Sequence, residues 1–115
     1  MTKLYNLEYL EEISDGDQTF ISEMLNDFVS ITPTTLAEIE REVNSQNWDD
    51  LYKTIHRFIP TFEFVGANNI HGDLKKMEDF AKTRTNIEQI PFLFQHIKGF
   101  CFDILEEIKT DFNIA

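Results

Sequence analysis

The sequence predicts an all-α protein, an antiparallel up-down four-helix bundle with a short extra helix at its N-terminus. Three observations predict it. Apolar residues return every three or four positions along most of the chain. No stretch shows the β-branched alternation of strands. Only 4 glycines and 3 prolines interrupt 115 residues, so long helices joined by short polar links are expected to pack antiparallel.

The first helix is expected near 6–13, with Asn6 as its N-cap, Leu7, Leu10 and Ile13 facing inward, and Ser14-Asp15-Gly16 as the following turn. Asp17 caps a second, long helix. Its stripe comprises Ile21, Leu25, Phe28, Leu36, Ile39 and Val43, widened by Phe20, Met24 and Ile31. Pro33 lies inside that pattern, which predicts either a kink near Thr32 or a break with a restart.

Asn47 caps the third helix, whose buried face is Trp48, Leu51, Ile55, Phe58, Phe62 and Val65, and Gly66 ends it as a C′ glycine. A fourth helix near 68–82 buries Ile70, Leu74, Met77 and Ala81. The polar Lys82-Thr83-Arg84-Thr85 leads to a last helix over about 87–112, with Pro91 in its first turn. Leu93, Ile97, Phe100, Cys101, Ile104 and Ile108 face inward there. The four longest helices form the bundle, and the first lies over it as a lid.

At this length residues 1–115 read as one domain able to bury a core without disulfides. The lone Cys101 cannot pair within the chain and falls on an apolar stripe, which favours a reducing compartment. No leader-like segment, membrane-length apolar run or glycosylation sequon is present, so a cytoplasmic monomer with no membrane association is expected. A net charge of −11 excludes nucleic acid as a partner, because phosphate-backbone affinity comes from lysine and arginine. Residues 1–45 hold two basic and ten acidic side chains, whereas 49–84 hold six of each. The middle of the chain therefore repels an acidic partner least.

On a helical wheel His56 lies roughly 120° from the centre of the third helix's buried face. It shares that side with Tyr52, Lys53, Pro60 and Glu63. An imidazole there is reachable from solvent on a rigid element, and its nitrogen can attack a phosphoryl group without an activating triad.

The string His56-Arg57-Phe58-Ile59-Pro60-Thr61-Phe62-Glu63-Phe64-Val65-Gly66 resembles the signature of histidine phosphotransfer (HPt) domains. In that signature a basic and an apolar residue follow the histidine, and a glycine stands ten positions on. Tyr5-Asn6-Leu7-Glu8-Tyr9-Leu10, the Gly16-Asp17 turn, the run Phe20 to Leu25, Thr32-Pro33 and Asn47-Trp48-Asp49 are similar to the family in the same order. The resemblance implies that His56 accepts phosphate from a receiver-domain aspartate and passes it to another. The partners implied are a response-regulator receiver domain, a hybrid sensor kinase, or both. The resemblance implies no ATP-dependent kinase activity and no cofactor, since the receiver would supply the magnesium and the acidic pocket.

One departure stands out. The family usually places lysine three residues after the histidine, where this chain has Ile59. Phosphate support then falls to Lys53, about one turn before His56, or to Arg57, which points about 100° away. Glu63, two turns along the same face, opposes a phosphoryl dianion. Ile59, Pro60, Glu63 and Phe64 are expected to dock the partner, although Ile59 lies toward the core and Phe64 is read equally as tucked under the next loop. The same departures fit a second reading, a pseudo-HPt adaptor that binds receivers without accepting phosphate. His71 and His96 lack the carboxylate spacing of di-iron bundles and are expected to be surface residues, with no metal site.

Overall fold

The computed structural model describes residues 4–114. These residues form five α-helices and one short 3-10 turn, with no strand among them. None of the helices is long and apolar enough to cross a membrane among the described residues.

Helix α1 spans Glu8–Ser14. Leu7 occupies its cap position, not Asn6 as the sequence suggested, but the Asn6 Oδ1 still accepts the Glu8 N–H at 2.8 Å. Leu10 is buried and Leu7 half-buried, whereas Ile13 points to solvent, contrary to its predicted inward position. A helix this short buries only its central turn. The chain then reverses through left-handed Asp15 and Gly16.

Helix α2 spans Gln18–Asn44, with the Asp17 carboxylate accepting the Thr19 and Phe20 N–H groups at 3.0 and 3.3 Å. Pro33 neither breaks nor restarts it. Buried Phe28 and Thr32 before the proline and Leu36 and Ile39 after it anchor one continuous face. The ring itself lies on the exposed side, where water can serve the backbone groups it frees. Ile31 is exposed and does not widen the stripe.

Helix α3 spans Trp48–Phe64, and the Asn47 Oδ1 accepts the Asp50 N–H at 3.3 Å. Gly66 follows its C-cap with φ +65°. Helix α4 spans Asn68–Thr83 and ends at left-handed Arg84. The expected single last helix is instead a 3-10 turn, Ile87–Gln89, followed by α5, Ile90–Phe112. Pro91 sits in the first turn of α5. The inward face of α5 is also rotated from the predicted one: Ile90, Phe94 and Leu105 are buried, while Leu93 and Phe100 are half-buried. Trp48 of α3 is likewise only half-buried.

Helix α3 packs on α2 and α4, and α5 packs on the same two helices, so the four long elements form a closed ring of neighbours. At 1.5 Å per residue α2 runs roughly 40 Å, close to the 42 Å longest dimension of the molecule. Phe62 sits at the centre, edge-on to Phe58 at 4.5 Å and to Phe28 at 5.7 Å between centroids. Such arrangements are favoured by the ring quadrupoles. Cys101 is part of this core, and burial pushes its thiol up to about 12.

A strap ahead of α1 ties the ends together. The Asn6 N–H donates to the Val65 carbonyl at 2.8 Å, the Leu4 N–H to Glu107 Oε1 at 2.8 Å, and the Tyr5 hydroxyl to Asp111 at 2.5 Å. The turn after α3 is thereby held from outside, just beyond the helix that carries His56.

Candidate functional site

The stiffness of α3 decides what His56 can do. Leu51, Ile55, Phe58 and Phe62 hold one side of the helix in the core, so the opposite flank keeps a fixed orientation. The imidazole stands on that flank with 76% of its side chain exposed.

Its Nδ1 lies 2.8 Å from Oε2 of Glu78 on α4, a carboxylate whose side chain is only 16% exposed. A carboxylate accepts this hydrogen bond, so Nδ1 is the donor, and in the neutral ring the lone pair is then on Nε2, the nitrogen not engaged by Glu78. That is the tautomer a nitrogen nucleophile needs. Lys75 stands 4.0 Å from the other Glu78 oxygen, one turn away on α4, and balances part of its charge. Tyr52, His56, Glu78, Asp79 and Lys82 line an open concavity of about 330 Å³ around the ring.

The cations proposed from sequence separate. Lys53 is exposed and makes no ion pair among the described residues. Arg57 is instead committed to the other side of α3. Its guanidinium lies 3.4 Å from Glu38 of α2 and 3.3 Å from Thr54 Oγ1. The roughly 100° step between adjacent residues sends the His56 side chain toward α4 and that of Arg57 toward α2. Lys82 lines the concavity around His56 from α4.

The docking residues also divide. Ile59 is 3% exposed and belongs to the core, so it offers no contact surface; its small angular offset toward the apolar face decides its burial. Pro60 and Glu63 are exposed, and the Glu63 carboxylate sits 3.6 Å from Nε2 of His71. Phe64 is half-buried and packs its ring at 5.7 Å against Tyr9 of α1. Tyr9, Pro60, Glu63 and Phe64 share a second concavity of about 460 Å³ at the end of α3.

Three comparisons were made, with protein-family models, with curated proteins and with solved structures. None returned a match.

Sequence reasoning missed Glu78 and Lys82. Glu78 follows buried Met77 and stands four residues after buried Leu74, so it flanks the apolar stripe of α4. An acid at the edge of a stripe was the available signal, but nothing along the chain says which neighbouring helix it meets. Among the described residues no three histidine, cysteine or carboxylate side chains are grouped to hold a metal.

Proposed function

We propose that the chain is a histidine phosphotransfer domain of a two-component phosphorelay. His56 Nε2 accepts a phosphoryl group from the aspartyl phosphate of a receiver domain and returns it to another. The observation that carries this reading is the His56–Glu78 pair, which orients an exposed imidazole with its Nε2 lone pair outward. Phosphoryl transfer depends mainly on alignment and charge neutralisation. Glu78 aligns the ring, and Lys53 and Lys82 offset the incoming charge. Pro60, Glu63 and Phe64, one to two turns beyond His56, form the adjoining surface for the receiver. The protein acts as an intermediate without ATP-dependent kinase activity, in the cytoplasm and as a monomer.

The finer architecture belongs to the same proposal. Four long helices that neighbour one another in a ring, joined through the short links 45–47, 65–67 and 84–89, support an antiparallel up-down four-helix bundle with α1 added.

Incubation with a phosphorylated receiver, followed by measurement of acid-labile phosphate on the wild type and on His56→Gln, tests the function. Labelling of the wild type and its loss in the variant are expected. Equal labelling of the two, or none with any cognate receiver, defeats the proposal.

Ile59 favours a second reading. With a buried isoleucine where a lysine would stand, the chain could serve as a pseudo-HPt adaptor that docks a receiver without being phosphorylated. Unchanged partner affinity and signalling output in His56→Gln would select it.

A further inference from the structure

Helix α4 offers a carboxylate to a histidine on each of its flanks. Glu78 reaches His56 on α3; five residues earlier, Asp73 reaches His96 on α5, with Oδ2 2.6 Å from Nδ1. The His96 side chain is 65% exposed, and Asp73 is half-buried. We propose that His96 is a second phosphoacceptor, which takes a phosphoryl group on Nε2 from an acyl phosphate.

The two sites share their construction. In both, an acceptor-only carboxylate claims the Nδ1 proton and turns Nε2 outward with its lone pair free. In both, an aromatic residue stands four positions before the histidine, Tyr52 for His56 and Phe92 for His96. In both, the ring borders an open concavity; Asp73, Gln89, Phe92, Leu93 and His96 line the second, of about 310 Å³. Phe92 is 78% exposed, the most exposed of the large apolar side chains among the described residues, so a donor approaching His96 meets an apolar surface beside it. The third histidine differs at the decisive atom. Its Nε2, not its Nδ1, is the nitrogen facing a carboxylate, 3.6 Å from Glu63.

The step balances without a further reagent. The Nε2 lone pair forms the N–P bond as the P–O bond to the acyl group breaks, and the electron pair leaves with the departing carboxylate. The imidazole retains its proton on Nδ1, where Asp73 compensates the positive charge of the phosphorylated ring. No lysine lines this concavity, whereas Lys82 lines that of His56, so labelling at His96 is the slower of the two.

Acetyl phosphate as the donor, with alkaline-stable phosphate located by mass spectrometry, provides the test. The set is wild type, His56→Gln, His96→Gln, the double variant and His56→Gln with Asp73→Asn. The expected result is several-fold slower but measurable labelling of His56→Gln, its abolition in the double variant, and a several-fold drop on adding Asp73→Asn while the helical circular dichroism is unchanged. A labelled wild type with an unlabelled His56→Gln overturns the His96 site and leaves His56 standing. Label that persists in the double variant overturns it as well. Label on His56→Gln but none on His96→Gln would instead sink His56 and keep His96. No label on the wild type sinks both.

Discussion

Glu78 lies 22 residues beyond His56, on a different helix, yet its carboxylate makes the hydrogen bond that selects which ring nitrogen of His56 faces solvent. Isolated imidazole has no comparable preference imposed on it. In the proposed phosphotransfer the role of Glu78 is positional, and its removal should change the tautomer before it changes anything else.

Glu78→Ala is expected to slow phosphorylation of His56 by up to about fivefold. That follows from treating an exposed charge-assisted pair as worth about 0.2–1 kcal/mol after solvent screening. Imidazole nitrogen chemical shifts should show the Nδ1–H form losing population in the variant. An unaltered tautomer with a slowed reaction would mean that Glu78 acts by some route other than orienting the ring.

Ile59→Lys would install the residue usual at this place in histidine phosphotransfer domains, but at a position 3% exposed. The chain should lose about 2 kcal/mol or more, since a packed aliphatic side chain is replaced by one that must carry its charge out to water. Urea unfolding measures this, and phosphohistidine yield should not rise. In the proposed reaction charge neutralisation falls instead to Lys53 and Lys82. Replacing either with alanine should slow labelling about two- to fivefold at low salt, with the effect fading toward 1 M salt, where screening shortens to about 3 Å.

Glu42 makes stability depend on pH. Its Oε2 accepts from Thr54 Oγ1 at 2.9 Å, while Oε1 is buried without a hydrogen-bond partner. Burial raises its pKa above the ordinary 4.5, and neighbouring Glu38 and Asp50 push the same way, against the Thr54 hydrogen bond and Arg57. A carboxyl raised in the folded state contributes stability below its unfolded value that is lost as pH rises through its folded value. Glu42→Gln, which keeps an acceptor for Thr54, should therefore have a higher urea midpoint than the wild type at pH 7. The gap should close toward pH 4, and a wild type that is the more stable at pH 7 contradicts this account.

Gly66 and Gly16 both have positive φ, at +65° and +78°, but only Gly66 is crowded. A Cβ there would lie 2.3 Å from the Asn6 carbonyl oxygen, whereas at Gly16 it would meet nothing within 4 Å. Gly16→Ala should cost about 1–2 kcal/mol, the backbone term alone. Gly66→Ala should cost more and release the strap, seen as faster amide exchange at Asn6, whose N–H is bonded to Val65. Equal losses for the two variants would mean that the Asn6 contact carries no weight.

What could be read along the chain was local. Helix number, the caps at Asp17 and Asn47, the left-handed exit at Gly66 and the face bearing His56 all follow from spacing within a few turns, because capping and amphipathicity act between near neighbours. The fate of Pro33 did not, since a helix tolerates an exposed proline when the core holds it on both sides. Only the packed structure decided that His56 meets Glu78, that Arg57 turns to Glu38, that Ile59 is buried and that Asp73 reaches His96. Each of these depends on how one helix is rotated against the next. That rotation is set by the shapes of side chains from all four long helices interlocking at once, which no single stretch of sequence contains.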